Sequence, residues 1–369
     1  MKLFDDTVYT IPYTSTGYVR REAKKAMREH YAVLKHSWPD YDCFKLLRAA
    51  FRGGNTHASR FFAGQILHNV SSMDISSSYP TQECVRKYPM TRFIERDRKS
   101  EAGLNFYLDH GYACLIHCVL TFVELRDRYE SIPYLPLAKC IKYPEGVRLD
   151  NGRIISCNRC EIVVTDVDYE IINHQYTFGL EILDLYTSEY DFLPLELRDL
   201  NRKYFAQKTQ LKGVKGQELY YLKAKNLLNS IYGDFVMNPL RVRILYANGE
   251  YKEDESKTDI EILEGAGKSP YKLYQWGVWV TSWARYQLQQ GIDLVGPDRV
   301  VYCDTDSVKY IGDLDIEKFN KKRTLEAIKK GAYAYDNKGK AHYIGVYENE
   351  GYTLPNRFCT LGAKKYVLE

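Results

Sequence analysis

Residues 300–310, with the sequence VVYCDTDSVKY, have the pattern of a β-hairpin. Apolar and aromatic residues lead into the segment, an alternating Val-Lys-Tyr run leads out of it, and Asp-Thr-Asp lies between the two predicted strands. Asp304 and Asp306 are two positions apart, and side chains two apart in an extended chain point to the same side. Two carboxylates held that close repel each other unless they share a cation. The segment therefore predicts a divalent metal site at the tip of a hairpin.

A solvated turn is the alternative interpretation of Asp-Thr-Asp, because Asp and Thr are ordinary turn residues. The strand-forming flanks favour the metal site instead. Two further segments, around Asp74 and Lys225, also favour it, because they supply the remaining parts of one reaction.

The composition is that of a soluble globular protein long enough for two or more domains, or for one domain with large insertions. Of the 369 residues, 45% are hydrophobic and 27% are charged, which is the usual balance for this class. The net charge of +4 is too small to establish a polyanionic partner by itself. No apolar run is long enough to cross a bilayer, and residues 1–10 lack the core of a signal peptide. The sequence predicts a cytoplasmic protein without membrane contact.

The nine cysteines, an odd number scattered along the chain, predict free thiols in a reducing compartment. Cys157 and Cys160 form a Cys-x-x-Cys sequence, but no second Cys or His pair lies at zinc spacing. We interpret these two cysteines as positions in a strand or hairpin.

A Phe-Arg-Gly-Gly sequence at residues 51–54 follows a basic N-terminal region that predicts helices. Paired glycines allow positive φ and the close approach of another backbone. Beside an arginine, such a loop is suited to holding a phosphate. A plain connector between elements is the alternative.

A third carboxylate comes from residues 65–80, QILHNVSSMDISSSYP, which predict a strand that carries Asp74 into a serine-rich turn ended by Pro80. An aspartate at the end of a strand is most often a cap. Here it also completes the set of carboxylates that a two-metal site would use.

A helix with a polar face is predicted to begin in the basic residues 208–225 and to continue through NLLNSIYG. At 100° per residue, Lys225, Asn229 and Tyr232 lie within about 60° of one another. The opposite arc carries Tyr220, Ala224, Leu227, Leu228 and Ile231. Gly233 is the predicted C-cap. An ordinary amphipathic surface helix is the alternative interpretation.

The remaining periodicity predicts a mixed α and β chain without internal repeats. The predicted elements are strands at 112–124 and 177–185, short β segments throughout 132–176, helices at 195–209, 274–291 and 316–330, and a strand pair ending in TLGAKKYVLE. Residues 234–272 look like an excursion from the main body and carry a hairpin signal at Asn248 and Gly249.

These parts together fit phosphoryl transfer, in which charge stabilisation and alignment do most of the catalysis. Three carboxylates come from separate segments, a helix presents Lys and Tyr, and a Lys-Lys-Tyr sequence lies near the end of the chain. Metal-dependent hydrolases share the carboxylates. They do not require the lysine-bearing helix, which is suited to the β- and γ-phosphates of a nucleotide.

The chain resembles the family B DNA polymerases, in particular the protein-primed phage type. DISSSYP is similar to motif A of that family, KNLLNSIYG to motif B, YCDTDS to motif C and KKY to its late lysine-tyrosine motif. The FRGG sequence is similar to the family's YxGG element, with Phe51 in place of Tyr. The resemblance implies an α+β fold, with a right-hand palm built on an antiparallel sheet, helical fingers and β-rich insertions.

The resemblance also implies a role for each matching residue. Asp74 and Asp306 would bind two Mg²⁺ ions, with Mn²⁺ as a possible substitute, while Asp304 would assist and the backbone carbonyl of Ile75 would hold the nucleotide's metal. The implied nucleotide-binding residues are Tyr79, under the deoxyribose, Lys225, Asn229 and Tyr232, with Lys212 and Lys215 as weaker phosphate ligands. The implied DNA-binding residues are Phe51, Arg52, Gly53, Gly54, Ser77, Gly233 next to the nascent base pair, and Lys364 and Tyr366 at the primer end.

A division into domains follows from the same resemblance. The expected parts are the tail of an exonuclease domain and a linker (1–50), the first part of the palm (51–131), a β-rich insertion (132–176), a palm strand (177–194), the fingers (195–233), a second insertion (234–272) and the second part of the palm (273–369). Most of the exonuclease domain and the thumb are expected to be absent.

The implied function is a template-directed DNA polymerase that adds deoxynucleotides to a primer 3′-hydroxyl or to a priming protein. Its implied partners are primer-template DNA, deoxynucleoside triphosphates and a terminal priming protein, in the cytoplasm of a bacterium that carries a phage or prophage. The alternative is a catalytically weak, DNA-binding polymerase fragment that needs the thumb and exonuclease parts from elsewhere. A metal-dependent nuclease is the third reading.

Overall fold

The described part of the chain combines helices with antiparallel strands and begins with three helices. The computed structural model describes residue 7 and residues 9–241, 244–247, 249–253, 256–350 and 356–369. Those residues contain eleven α-helices: α1 (Ser15–Ala26), α2 (Tyr31–His36), α3 (Tyr41–Ala50), α4 (Ser78–Val85), α5 (Glu101–Asp109), α6 (Asp166–Gln175), α7 (Leu195–Leu211), α8 (Glu218–Phe235), α9 (Asp259–Gly267), α10 (Tyr274–Val295) and α11 (Glu317–Lys329).

The strands of the same residues form two larger and three smaller sheets. They are β1 (Thr56–Ala58), β2 (Leu67–His68), β3 (Val70–Ile75), β4 (Lys87–Pro89), β5 (Ile94–Glu95), β6 (Tyr112–Leu125), β7 (Arg148–Asp150), β8 (Arg153–Thr165), β9 (Tyr176–Phe192), β10 (Ile244–Ala247), β11 (Glu250–Glu253), β12 (Val300–Asp304), β13 (Ser307–Ile311), β14 (Tyr333–Tyr335), β15 (Ala341–Tyr343), β16 (Tyr347–Asn349), β17 (Arg357–Gly362) and β18 (Lys365–Leu368). The α+β class expected from the sequence is confirmed.

The five-stranded sheet brings the acidic segments together. Its strand order is β1-β12-β13-β3-β16, and every neighbouring pair is antiparallel. The hairpin predicted at residues 300–310 is confirmed as β12 and β13, which turn between Asp304 and Ser307. Ser307 pairs in turn with Asp74 on β3, so segments more than 200 residues apart in sequence meet at one end of this sheet.

The six-stranded sheet takes in part of residues 132–176. Its path is β4-β9-β6-β8-β7, with β5 paired to β9. The prediction of β segments throughout this stretch is wrong for residues 166–175, which form α6. The Thr165 side chain accepts a hydrogen bond from the Asp168 amide and so caps that helix, and the apolar residues Val167, Ile171 and Ile172 on it are buried.

Helix α8 has the predicted apolar face but not the predicted end. Ala224, Leu227, Leu228 and Ile231 are buried, whereas Tyr220 is 44% exposed. Gly233 is not the C-cap, because the helix continues to Phe235. Phe235 packs edge-on against Trp276 of α10, with ring centroids 5.7 Å apart, and this contact stabilises the extra turn.

The predicted helices at 195–209, 274–291 and 316–330 are confirmed as α7, α10 and α11, each within a few residues of its expected ends. Helix α10 is mostly buried and packs against both larger sheets, through β13 and β4. It fixes the position of the acidic hairpin relative to the rest of the molecule.

Three smaller sheets complete the fold. Strands β10 and β11 form the hairpin predicted in residues 234–272; Gly249 lies in its turn, and Asn248 lies outside the described residues. Strands β14 and β15 form a hairpin after α11. The predicted C-terminal strand pair is confirmed as β17 and β18, and β2 extends it to three strands.

Among the residues that the structure describes, no helix is long and apolar enough to span a bilayer.

Candidate active site

Asp74 and Asp306 line one cavity of about 480 Å³ between the five-stranded sheet and helices α7 and α8. The backbone amide of Ile75 donates to the carbonyl of Asp306 at 2.9 Å, which ties the two segments together. Burial, reinforced by the charge of Asp306, raises the pKa of Asp74 to about 7. Burial, reinforced by Asp304, raises the pKa of Asp306 to about 6. Two crowded carboxyls of this kind are suited to sharing a cation.

Asp304 lies apart from that cavity. Thr305 has a left-handed backbone with φ of 60°, and the tight turn reverses the chain between the two acids. The alternation of an extended strand therefore does not apply, and the expectation that Asp304 and Asp306 face one side by alternation is wrong. Asp304 instead accepts hydrogen bonds from the hydroxyls of Thr56, at 3.0 Å, and Thr305, at 3.2 Å, and pairs with Lys364.

The Phe-Arg-Gly-Gly loop packs directly on the Asp-Thr-Asp turn. The Thr305 amide donates to the carbonyl of Asn55 at 2.8 Å. A Cβ at Gly54 would lie 2.6 Å from the Thr305 Cγ2, whereas a Cβ at Gly53 would meet nothing within 4 Å. Neither glycine has a positive φ. Gly54 is thus required by the close approach of a side chain and not by a special backbone conformation.

Arg285 of α10 anchors the same loop. One of its terminal nitrogens donates to the carbonyls of Arg52, at 2.6 Å, and Gly53, at 2.8 Å. The other donates to both carboxylate oxygens of Asp168, at 2.7 and 2.8 Å. Burial would raise the pKa of Asp168, but the Arg285 guanidinium outweighs it and holds that pKa below its usual value. The loop carbonyls are therefore fixed by a fully buried ion pair.

The side chain of Arg52 turns into the protein. Its guanidinium lies 4.3 Å from the ring centroid of Tyr134 and donates to the Tyr134 carbonyl at 3.3 Å. Burial lowers the pKa of Arg52 to about 9. A phosphate bound at this loop would meet the loop backbone before it met this guanidinium.

The serine-rich segment forms one wall of the cavity. Ser77 has a left-handed backbone, with φ of 55°, directly before α4. The Ser76 amide donates to the Val346 carbonyl, and the Gly345 amide donates to the Ser76 carbonyl, both at 2.9 Å. Strained backbone at a non-glycine residue persists only where its surroundings fix it, and here two hydrogen bonds beside it do so.

Tyr79 and Tyr232 meet in the cavity although they come from different motifs. Their ring centroids are 4.3 Å apart, with an angle of 31° between the planes. Asn229 and Lys225 line the same cavity from α8, so the predicted polar face of that helix is directed at the carboxylates. The structure thus brings together the motif A and motif B residues that the sequence singled out.

Lys208 is the principal residue that the sequence analysis missed. Its Nζ donates to the Ser77 hydroxyl at 2.8 Å, and burial, together with the neighbouring Lys212, lowers its pKa. Lys212 lines the cavity too, one turn further along the chain. Their i, i+4 spacing is the signal that would have found Lys208. Lys215 lies in a separate shallow pocket, and Gly233 lies inside α8 and does not line the cavity.

A buried lysine, also missed, lies behind the carboxylates. Lys309 of β13 is 3% exposed, and its Nζ lies 3.1 Å from the Ser72 hydroxyl and 3.1 Å from a carboxylate oxygen of Glu350. In the sequence it is one more residue of an alternating strand, so no pattern distinguishes it. Its charge favours the ionised form of Asp74 and so opposes the effect of burial.

Lys364 and Tyr366 lie on the other side of the hairpin. The Lys364 amide donates to the Tyr302 hydroxyl at 3.0 Å. The Tyr366 ring stacks on Phe358, with centroids 5.5 Å apart, and also packs on Tyr302. The Lys-Lys-Tyr segment is therefore fixed to β12, outside the cavity that holds Asp74 and Asp306.

The family model for DNA polymerase type B, organellar and viral, matches residues 2–308. The chain belongs to this family. The matched residues include the FRGG loop and the motif A, motif B and motif C segments, whereas the segment that holds Lys364 and Tyr366 lies beyond them. Family membership and the clustering of three motifs around one cavity agree with each other.

Similar type B polymerases come from Bacillus phages. The DNA polymerase of phage Nf is 28% identical over 274 residues, and that of phage phi29 is 26% identical over 271 residues; each match covers 73% of this chain and 43% of the relative. Among solved structures, the phi29 DNA polymerase complexed with primer-template DNA and incoming nucleotide has a TM-score of 0.70 at 22% identity. The same enzyme with single-stranded DNA has a TM-score of 0.68.

These matches bear on fold and extent in different ways. The structural likeness covers 97% of this chain and 55% of the phi29 chain, and it supports the same polymerase fold. The chain spans less than half of the length of the curated relatives that it matches.

The metal ligands available in this type B polymerase chain are few. Within the described ranges, no group of three or more His, Cys, Asp and Glu side chains is arranged to hold a metal ion. Of the predicted ligands, Asp74, Asp306 and Ile75 line the cavity, and Glu348, which pairs with Asp74 across the sheet, lines it as well. Mg²⁺ commonly takes one or two protein carboxylates and completes its shell with water and substrate phosphates, so this donor set fits it.

Proposed function

We propose that the chain is the palm and fingers part of a template-directed DNA polymerase. The observation that carries the proposal is the arrangement of the 480 Å³ cavity. Its lining includes Asp74 and Asp306, the three lysines Lys208 on α7, Lys212 directly after α7 and Lys225 on α8, and the two tyrosines Tyr79 and Tyr232, whose rings contact each other. A metal-bound deoxynucleoside triphosphate would use all three kinds of group, since its metal needs carboxylates, its phosphates need cations, and its sugar and base need flat apolar surfaces.

The reaction proposed is attack of a primer 3′-hydroxyl on the α-phosphate of the nucleotide, with release of pyrophosphate. Asp74, Asp306 and the Ile75 carbonyl would hold Mg²⁺, or Mn²⁺ in its place. When bound, the metal would stabilise the negative charge that develops on the phosphoryl group. Lys208, Lys212 and Lys225 would neutralise the triphosphate.

Sugar and base recognition is assigned to the aromatic wall. Tyr79 would lie under the deoxyribose and exclude a 2′-hydroxyl, while Tyr232 and Asn229 would line the nascent base pair. The stacking of Tyr79 on Tyr232 supports this assignment, because it couples the sugar wall to the base wall. Lys215 would be at most a peripheral phosphate contact, since it lies outside the cavity.

DNA contacts are assigned to two surfaces around the acidic turn. The FRGG loop, residues 51–54, together with Ser77 and Gly233, would follow the template and the nascent pair. Lys364 and Tyr366 would hold the primer end. The packing of Gly54 on Thr305 and of Lys364 on Asp304 supports this assignment, because both residues contact the Asp-Thr-Asp turn.

The division of the chain into palm, fingers and two insertions, with the boundaries given above, remains part of the proposal. So does a priming protein, which some polymerases of this kind use in place of a primer. A catalytically weak DNA-binding fragment is the second candidate. The observation that favours it is that the match covers only 43% of the curated relative.

Extension of an end-labelled primer on a template tests the proposal. The chain should add deoxynucleotides only when Mg²⁺ or Mn²⁺ is present, and Asp306→Asn should lower the rate at least about a hundredfold, because a lost metal ligand costs several kcal/mol of charge stabilisation. The matched control is Asp313→Asn, an exposed aspartate just after β13. Metal-dependent shortening of the primer would instead indicate a nuclease, and duplex binding without extension would indicate the fragment.

A further inference from the structure

The β14–β15 hairpin contributes two side chains to the nucleotide cavity, and neither belongs to a polymerase motif. Asp336 follows β14, and His342 lies in the middle of β15. Both line the cavity that holds Asp74, Asp306 and Lys225. The hairpin packs against α7, the helix that carries Lys208.

Asp336 and His342 form a hydrogen bond that is separate from the bonds closing the hairpin. One carboxylate oxygen of Asp336 accepts from the amides of Lys338 and Lys340, each at 2.9 Å, and the Asp336 amide donates to the Lys340 carbonyl at 2.9 Å. These bonds close the turn. The second carboxylate oxygen lies 2.9 Å from the Nε2 of His342, so this bond instead orients the imidazole ring.

The hairpin reaches the cavity next to the serine-rich wall. Three residues after His342, the Gly345 amide donates to the Ser76 carbonyl. On the other side of that wall, the Lys208 Nζ donates to the Ser77 hydroxyl. Gly345, just after β15, and Lys208 of α7 therefore contact residues 76–77 from two different parts of the chain.

Three lysines supply positive charge beside this wall. Lys208, Lys212 and Lys225 are close enough that Lys212 and Lys225 lower the pKa of Lys208, after the larger effect of burial. Four carboxylates line the same cavity: Asp336 contacts His342, Glu348 interacts with Lys208, and Asp74 and Asp306 are the candidate metal ligands. A polyphosphate entering here would relieve the repulsion between the lysines.

We propose that His342, oriented by Asp336, binds the β- and γ-phosphates of the incoming nucleotide and, after transfer, the pyrophosphate. This inference rests on the proposed function, which it deepens. With Nε2 directed at Asp336, the Nδ1 edge of the ring is the edge left for the ligand, and it donates to a phosphate oxygen when protonated. His342 is a binding residue in this scheme, and Asp336 is a positioning residue.

Equilibrium binding of three probes, each with Mg²⁺, tests the assignment on the full chain: inorganic tripolyphosphate, dATP and dAMP. His342→Ala should weaken tripolyphosphate and dATP about tenfold, the value of one hydrogen bond to a charged group. Binding of dAMP should not change, since it lacks the β- and γ-phosphates. Lys340→Ala is the matched control, because it alters an exposed side chain of the same turn and keeps the backbone bonds.

The variants separate this inference from the proposed function. Lys225→Ala should weaken dATP binding whether or not His342 takes part. If Lys225→Ala weakens dATP while His342→Ala binds tripolyphosphate like the unaltered chain, the role of His342 is overturned and the polymerase assignment stands. If the unaltered chain binds neither dATP nor tripolyphosphate, both are overturned. Should His342→Ala unfold, His342→Gln, which keeps a polar side chain beside Asp336, gives the same comparison.

Discussion

Lys364 forms an ion pair with Asp304, with its Nζ 2.6 Å and 2.5 Å from the two carboxylate oxygens. The pair joins the β17–β18 turn to the end of β12. The three acids therefore differ in their surroundings. Asp304 is paired with a lysine outside the cavity, whereas Asp74 and Asp306 line the cavity.

Replacing Lys364 should therefore affect catalysis more than nucleotide binding. In Lys364→Ala the unpaired charge of Asp304 would act on Asp306, and the primer end would lose a cation. We expect primer extension to slow by about tenfold or more, with the nucleotide KM unchanged, because an interaction outside the nucleotide cavity is lost. Steady-state extension kinetics measure this.

Lys365→Ala is the control for that variant, since Lys365 is exposed and adjacent in sequence. Stability should change little in either variant, because exposed ion pairs contribute about 0–1 kcal/mol. A raised nucleotide KM in Lys364→Ala would contradict the separation of the two sites.

The two glycines of the FRGG loop should differ sharply when replaced. In Gly54→Ala the new Cβ would lie within 3 Å of three side-chain atoms of Thr305 and would displace the acidic turn. We expect a loss of about 1–3 kcal/mol in the free energy of unfolding, as for other overpacked sites, and a much larger relative loss of primer extension. Chemical denaturation and primer extension on the same preparations measure both.

Gly53→Ala provides the internal comparison, because the added methyl group would meet nothing within 4 Å and the backbone needs no positive φ. It should retain both stability and extension. Equal behaviour of the two variants would show that the contact with Thr305 does not position the turn.

Sugar selection provides a test of the aromatic wall. Tyr79→Val removes the ring that stacks on Tyr232, so we expect ribonucleotides to be incorporated more readily relative to deoxyribonucleotides. Tyr79→Phe keeps the ring and should retain the original preference. The measurement is the ratio of kcat/KM for matched ribo- and deoxyribonucleotides. An unchanged ratio in Tyr79→Val would show that Tyr79 packs in the cavity without selecting the sugar.

Two aspartates of α6 should respond to pH in opposite directions. Burial raises the pKa of Asp166 to about 7, whereas Arg285 holds the pKa of Asp168 below its usual value despite burial. A pKa that is raised in the folded state, as for Asp166, stabilises the fold at low pH. This stabilisation is complete below the unfolded-state pKa, near 3.8, and is lost as the pH rises through the folded-state pKa of about 7. A pKa that is lowered in the folded state, as for Asp168, stabilises the fold at higher pH. This stabilisation is present above the unfolded-state pKa and is lost as the pH falls through the folded-state pKa.

We therefore expect the two substitutions Asp166→Asn and Asp168→Asn to change the pH dependence of stability in opposite directions. From pH 4 to pH 8, the unaltered chain should lose stability relative to Asp166→Asn. Asp168→Asn should be about 3–5 kcal/mol less stable than the unaltered chain at pH 7, because it leaves the Arg285 charge buried without a partner, and the difference should shrink in acid. Denaturant titrations at four or five pH values measure the free energy of unfolding of each variant. Parallel pH profiles for Asp166→Asn and Asp168→Asn would contradict the prediction.

Local sequence patterns were sufficient to predict much of this site. The hairpin at residues 300–310 is encoded by alternation, and the polar face of α8 is encoded by helical periodicity, so both are visible without tertiary information. The meeting of Tyr79 with Tyr232 was not implied by either pattern. The family resemblance supplied it, because it assigned both residues to one nucleotide.

Other features depend on contacts between distant segments and could not be predicted from local patterns. The left-handed backbone of Thr305 separates Asp304 from Asp306, and it is fixed by the Asn55 carbonyl, some 250 residues away in the sequence. Lys309 reads as an ordinary exposed strand residue until Glu350 is placed beside it. Periodicity describes one element at a time and carries no information on such partners.

The pairing of β8 makes residues 132–176 less tolerant of deletion than the β10–β11 hairpin. Strand β8 pairs with β6 over most of its length, so a shortened relative without residues 132–176 would leave β6 as a bare edge, with unpaired backbone groups that invite self-association. Among the described residues, β10 and β11 pair only with each other, and their described side chains are exposed. We therefore expect the β10–β11 hairpin to tolerate insertions and deletions more readily than residues 132–176, and we expect size variation among natural relatives to concentrate at that hairpin.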